Sequence, residues 1–176
     1  MISATEILQA QLAHSLGLGY YSVLLHVNPD SQDYRRVYNR YYRVRRNDEW
    51  RKQYYDVFSI ACHEHYSFEQ IVTELYKRTG YVEASFSSKM LATIDPSKPI
   101  WDQYVLHNLG LVLNGRTQAE KVHNAVNIYK QIERWYADYL VTSEAKKNIQ
   151  GFCMMLPDYA WISDVKKIDC LLWSKR

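Results

Sequence analysis

The sequence predicts an all-α fold, a single globular domain over residues 1–176 with about seven to nine helices. Three observations predict it. Capping-box patterns stand at Ser3-x-x-Glu6, Ser67-x-x-Gln70 and Thr117-x-x-Glu120, each just ahead of an apolar run. Apolar residues recur along most of the chain at the spacing of one helical face. The one short stretch that could be a strand, Tyr20 to Val27, has no second convincing strand to pair with, so helix or irregular structure is favoured there.

Taken in order, Ser3 opens a helix whose Ile7, Leu8, Leu12 and Leu16 form one face, and Gly17 and Gly19 end it. Asn28-Pro29-Asp30 marks a loop and the best place for a boundary, so residues 1–29 could form an N-terminal helical extension. Asn47-Asp48-Glu49 has the chemistry of a helix start. Ser67 opens a helix through Ile71, Val72, Leu75 and Tyr76 to Gly80. Val82, Phe86, Met90 and Ile94 continue at helical spacing up to Asp95-Pro96. Pro96 and Pro99 forbid helix through the next corner. Beyond it, Trp101 should be buried, Asp102 should cap a new helix, and Gly110 should end that helix. Asn114-Gly115 is a turn, and Thr117 opens the longest helix, with Val122, Ala125, Val126, Tyr129, Ile132, Tyr136 and Tyr139 as its core stripe. Ser143 restarts a helix through Ile149, Phe152 and Met155 to Pro157. Ser163-Asp164 caps a last one, whose Val165, Ile168 and Leu172 face inward.

Composition narrows the class. With 47% hydrophobic residues the chain can build a core, and sixteen tyrosines give many of its side chains an apolar body with a polar tip. Three cysteines without a C-x-x-C pair point to reduced thiols and a cytoplasmic protein. No apolar run reaches membrane-spanning length, and Met1-Ile2-Ser3 begins no signal peptide. No membrane partner and no cofactor are expected.

Net charge is only +3, but its distribution is uneven. Between Tyr34 and Tyr55, Arg35, Arg36, Arg40, Arg43, Arg45, Arg46, Arg51 and Lys52 interleave with seven aromatic residues, Tyr41 and Tyr42 among them. Guanidinium groups clamp phosphates, and tyrosines stack on bases or hydrogen-bond the backbone. Arg36, Arg40, Arg43, Arg45, Arg46, Tyr41 and Tyr42 are therefore the candidate nucleic-acid contacts, with Arg36, Arg40 and Arg43 sharing a face if this part is helical. The alternative is a tyrosine core beneath a solvated arginine face. Cys62-His63-Glu64-His65 carries metal-ligand types, but its two histidines could ligate together only from an extended loop. A loop ahead of the Ser67 helix is expected instead, with no metal. His123 is expected at or near the surface.

Two segments carry a resemblance. S-K-M-L-A-T-I-D-P-S-K-P-I-W-D-Q-Y-V-L and the ending I-S-D-V-K-K-I-D-C-L-L-W resemble a pattern found in bacterial helical proteins of uncharacterised function. The corner between the two central helices resembles, more distantly, the catalytic centre of the helix-hairpin-helix DNA glycosylase superfamily. There a helix is followed by a short extended piece ending in an Asp that opens the next helix, and Asp102 matches that Asp. No G-x-G precedes the first helix here, and the family's lysine lies about one turn before Lys89, where this chain has Ala84 and Ser85. The resemblance implies a glycosylase-like helical core, DNA as partner, Asp102 stabilising charge on a sugar or activating water, and Lys89 as an attacking amine. From the residues alone, Asp102 is an N-cap worth ~1 kcal/mol and Lys89 an exposed helical lysine. Three functions stay open: a nucleic-acid-binding protein, an active base-excision enzyme, and a non-enzymatic protein-interaction module.

Overall fold

The computed structural model describes residues 17–174. The Ser3 capping box and the apolar face that follows it lie outside the described residues. Nine α-helices occur among the described residues: α1 (Leu18–Leu24), α2 (Gln32–Tyr41), α3 (Asp48–Glu64), α4 (Phe68–Thr79), α5 (Ala84–Ile94), α6 (Gln103–Leu109), α7 (Gln118–Leu140), α8 (Ser143–Met155) and α9 (Asp164–Ser174). No strand occurs among them.

Local chemistry sets most of the boundaries. Ser67 with Gln70, and Thr117 with Glu120, form complete capping boxes on α4 and α7. Asn47 caps α3 by accepting from the Trp50 amide, and Gly80 and Gly110 end α4 and α6 in the left-handed conformation. Three expectations need correction. Gly19 lies inside α1 instead of ending a helix, while the stretch from Tyr20 is helical as far as Leu24 and irregular beyond it, as expected. Cys62, His63 and Glu64 form the last turn of α3 rather than a loop, because the helix continues until His65 takes the left-handed conformation. That turn points no set of ligands inward; no cluster able to hold a metal exists among the described residues.

The third correction concerns α2, which ends at Tyr41 without any glycine. The amide of Val44 donates to the Asn39 carbonyl at 2.9 Å and that of Arg43 to Arg40 at 3.4 Å, the two bonds of a Schellman motif. Arg43 fills the position that glycine favours, with φ 52°. It therefore shares no helical face with Arg36 and Arg40.

α3 packs on α4, and α4 on both α5 and α7, while α9 lies against α6, α7 and α8. Tyrosines fill much of the core, and several of their hydroxyls are paired between elements. Tyr54 donates to the Phe86 carbonyl at 3.0 Å, so it is Tyr38 that donates across the 2.6 Å contact between their oxygens. Tyr34 donates to the Leu24 carbonyl at 3.0 Å and so ties α1 to α2.

The corner between α5 and α6 is held from three sides. Pro96 and Pro99 supply carbonyls but no N–H. Ser163 donates to the Pro96 carbonyl at 2.6 Å and Tyr129, on α7, to the Pro99 carbonyl at 2.9 Å. The Trp101 amide donates to Ser88 Oγ on α5 at 2.9 Å. The Trp101 side chain is buried, and Phe68 stacks between it and Tyr129. Replacing Ser88 by alanine strands a buried amide and should cost about 1–3 kcal/mol in urea unfolding without loss of helix by circular dichroism.

Candidate functional site

The corner delivers Asp102 to the start of α6, where Oδ1 accepts from the Tyr104 and Val105 amides at 2.8 and 2.9 Å. The carboxylate is thus placed by the backbone itself, with the positive end of the helix beneath it. Both bonds converge on one oxygen, which leaves Oδ2 outside the cap.

Asp102 borders a cavity of about 1420 Å³. Ser85 and Lys89 of α5 line it, as do Ile100 and Trp101 of the corner and residues 103–106 of α6. α9 contributes Lys166, Asp169, Cys170 and Trp173, and the first turn of α1 closes another side. The end of α2 adds Arg40, Tyr41, Tyr42 and Arg43. Of the residues singled out from the sequence, the fold brings Asp102, Lys89, Arg40, Arg43, Tyr41 and Tyr42 to this one cavity. Arg36, Arg45 and Arg46 do not line it. Arg36 pairs with Asp33 at 2.9 Å on an exposed face of α2. Arg46 pairs at 2.7 Å with the buried Glu83, which also accepts from the Trp50 indole at 3.0 Å. Arg45 is exposed.

Lys89 is half-buried rather than exposed. Its amine lies 4.9 Å from the centre of the Phe86 ring and 5.9 Å from that of Tyr42. Burial lowers its pKa below the ordinary lysine value; the carboxylate of Asp102 opposes that shift, and the charge of Lys166 adds to it. The amine is thereby shifted toward its neutral, nucleophilic form. Tyr42 is buried, its hydroxyl 3.1 Å from that of Thr93, whereas Arg40 and Arg43 are exposed at the rim. The Arg40 guanidinium stands 5.0 Å from the centre of the Tyr20 ring, and that of Arg43 6.0 Å from Trp173.

The residues that sequence reasoning missed are on α9. Lys166 is 7% exposed, with its ammonium 5.1 Å from the Tyr21 ring centre and 5.5 Å from that of Tyr41. Burial disfavours its charge, but Tyr41, Cys170, Tyr42 and Asp169 around it outweigh that and hold its pKa above the usual lysine value. One turn on, Asp169 is 6% exposed and accepts a hydrogen bond from the Tyr136 hydroxyl on Oδ1. Its Oδ2 is buried with no hydrogen-bond partner. Burial pushes the Asp169 pKa up to about 7, with Asp102 adding to the shift, against the pull of Lys166, of the Tyr136 bond and of the Ile100 amide. Four cationic side chains and two carboxyl groups therefore line the cavity.

The family models, the curated proteins and the solved structures contain no match to this chain.

Asp169 makes stability depend on pH in a defined direction. Its folded pKa of about 7 lies above the ordinary 3.8, so between those values the folded chain keeps a proton that the unfolded chain releases. That contribution is complete below the lower value and lost as pH rises toward the upper one. An amide side chain cannot titrate, so the stability of Asp169→Asn relative to wild type should rise steadily from about pH 4 to 7 and then level off, in urea titrations at matched ionic strength. A flat difference would show that Asp169 is ionised in the folded protein.

Proposed function

We propose that this is a nucleic-acid-binding protein that acts on a nucleotide held in the cavity, cleaving the bond between sugar and base. One observation carries the reading: Lys89, an amine shifted toward neutrality by burial, and Asp102, a carboxylate fixed at a helix start, line the same cavity, at whose rim stand Arg40 and Arg43. The distant resemblance of the corner to the helix-hairpin-helix glycosylases supports the same chemistry, with Asp102 at the matching place.

In this reading Arg40 and Arg43 take phosphates at the rim, and the aromatic wall of Tyr20, Tyr41, Tyr104 and Trp173 receives the nucleoside. Lys89 attacks the anomeric carbon as the bond to the base breaks. Asp102 stabilises the positive charge that develops on the sugar and takes up a proton from the alkylated amine. As the bond from the anomeric carbon to the ring oxygen breaks, the amine lone pair forms the C=N bond and Asp102 returns its proton to the departing oxygen, which gives a protonated imine between Lys89 and the opened sugar.

The test uses DNA duplexes with a single damaged or mismatched base and a duplex carrying an abasic site. Borohydride should trap a covalent adduct between the wild-type protein and the abasic duplex, and Lys89→Gln should abolish it. Asp102→Asn keeps a capping side chain, so it should leave stability within about 0.5 kcal/mol while slowing base release about 100-fold or more. Failure to trap and failure to release any base would end the enzymatic reading.

Binding separates from folding at Arg43. Arg43→Gly relieves the backbone and should keep or raise stability by up to about 1 kcal/mol. It should still weaken DNA binding and reduce the slope of log affinity against log salt by about one unit. Folded wild-type protein that gives a flat anisotropy titration at low salt would exclude nucleic acid altogether and leave a protein-interaction module.

A further inference from the structure

A cation buried on α9 lacks a matching anion. Lys166 is 7% exposed and lines the cavity, and no carboxylate forms an ion pair with it among the described residues. It stands in the first turn of α9, the positive end of that helix, where a cation is disfavoured. Lys167 beside it is buried to a similar degree but pairs with Asp164 at 2.9 Å. Buried charges are ordinarily paired, so Lys166 is the exception.

The groups around Lys166 supply little negative charge at neutral pH. Tyr41 accepts a hydrogen bond from it, which leaves the ammonium two further N–H groups. Burial raises the pKa of Tyr41, Tyr42 and Cys170, so all three keep their protons. Burial also raises that of Asp169, to about 7, so its carboxyl carries only part of a charge there. Lys89 lines the same cavity, and its amine is repelled by the Lys166 ammonium. The remaining exposure of Lys166 opens on the cavity, unlike Asp169 Oδ2, which is sealed.

We propose that Lys166 is the inner ligand of a phosphate subsite: its ammonium donates to a phosphate monoester that enters past Arg40 and Arg43 at the rim. The ligand class is a nucleotide with a terminal phosphate, either free or at the end of a strand. Arg40 and Arg43 flank Tyr41 in the chain, and the Tyr41 ring centre is 5.5 Å from the Lys166 nitrogen, so three cations gather at the end of α2. Charge selects the monoester. Four cationic side chains against two carboxyl groups leave an excess of two positive charges; a proton kept by Asp169 raises it and a neutral Lys89 lowers it. A phosphate monoester carries about −1.5 to −2 at neutral pH, whereas a carboxylate or an internal phosphodiester carries a single negative charge. Tyr20, Tyr104 and Trp173 then offer their rings to the base. The assignment goes beyond the cleavage reading and does not need it, since binding breaks no bond.

The test is calorimetry on the full chain at matched ionic strength. The ligands are inorganic phosphate, a nucleoside monophosphate, the parent nucleoside, and a short single strand with and without a 5′-phosphate. Wild type should bind the monophosphate at least about 10-fold more tightly than the nucleoside, at one site per chain. Lys166→Met keeps an apolar stem and should remove that preference while leaving nucleoside affinity within about twofold. Lys166→Arg restores the charge and should recover most of the preference. A 5′-phosphorylated strand that outbinds the monophosphate identifies a strand end as the ligand, and the reverse order identifies a free nucleotide; either order supports the subsite. Equal binding of nucleoside and monophosphate by wild type overturns it. So does Lys166→Met weakening both equally, which is the mark of a structural role. If neither variant folds, nitrogen NMR of the wild-type lysine ammonium groups decides. Lys166 and Lys167 are the buried lysines among the described residues, and inorganic phosphate should move one buried signal and leave the one held by Asp164 in place. Two unmoved signals overturn the assignment. Absence of base release bears on the cleavage reading alone and leaves each of these outcomes intact.

Discussion

The corner between α5 and α6 depends on hydroxyl groups brought from elsewhere in the chain. Two prolines break the helix and leave carbonyls that no local amide can reach, and Ser163 and Tyr129 satisfy them from sequence separations of 67 and 30 residues. Ser88 does the reverse, accepting from the Trp101 amide while donating to the Ser85 carbonyl at 2.9 Å. Its proton and one of its lone pairs are both engaged. With these bonds in place the backbone can present Asp102 at a helix start, and α5, α7 and the lead into α9 are fixed relative to one another. The cavity is the space these ties leave open.

Asp102 answers two demands at once. Oδ1 holds the first amides of α6, which gives the carboxylate a fixed direction and the favourable field of a helix start. A stable cap and a positioned anion are therefore compatible, and replacement by asparagine can separate them where alanine could not. Lys89 and Asp169 get their character from burial, against the pull of Asp102 on the one and of Lys166 on the other, while the groups around Lys166 outweigh its burial. Unlike residues on one wall are thus driven in different directions: one amine toward neutrality, one ammonium kept charged, one carboxyl kept protonated.

The arginine–tyrosine segment divides its work. Its tyrosines build the core, where Tyr38, Tyr54 and Tyr55 are buried with their hydroxyls paired. Its arginines separate into Arg46, held by the buried Glu83, Arg36, held by a neighbouring aspartate in solvent, and Arg40 and Arg43, which reach the cavity. Removing Arg46 would leave a buried carboxylate without its cation, so its loss tests folding more than binding.

The sequence by itself determined the helical class and most helix ends, because caps act through hydrogen bonds between residues three or four apart. Ser67, Thr117, Asn47, Asp102, Gly80 and Gly110 could be read for that reason. It also determined the stripe of α7, since helical periodicity marks a face that has one neighbour, and the buried Trp101, expected from the order Pro-Ile-Trp-Asp ahead of a capped helix. Tertiary structure decided the rest. The end of α2 was hidden because an arginine holds the left-handed position, and no residue type announces that. Residues 165–172 of α9 are buried on every side, so the apolar pattern Val165, Ile168 and Leu172 showed one inward face and hid Lys166 and Asp169 on another. Which lysine is shifted toward neutrality, which carboxyl keeps its proton, and which two arginines share their cavity depend on distances between helices far apart in the chain. Those distances exist only once the corner has closed, when burial and charge rather than residue type set the chemistry.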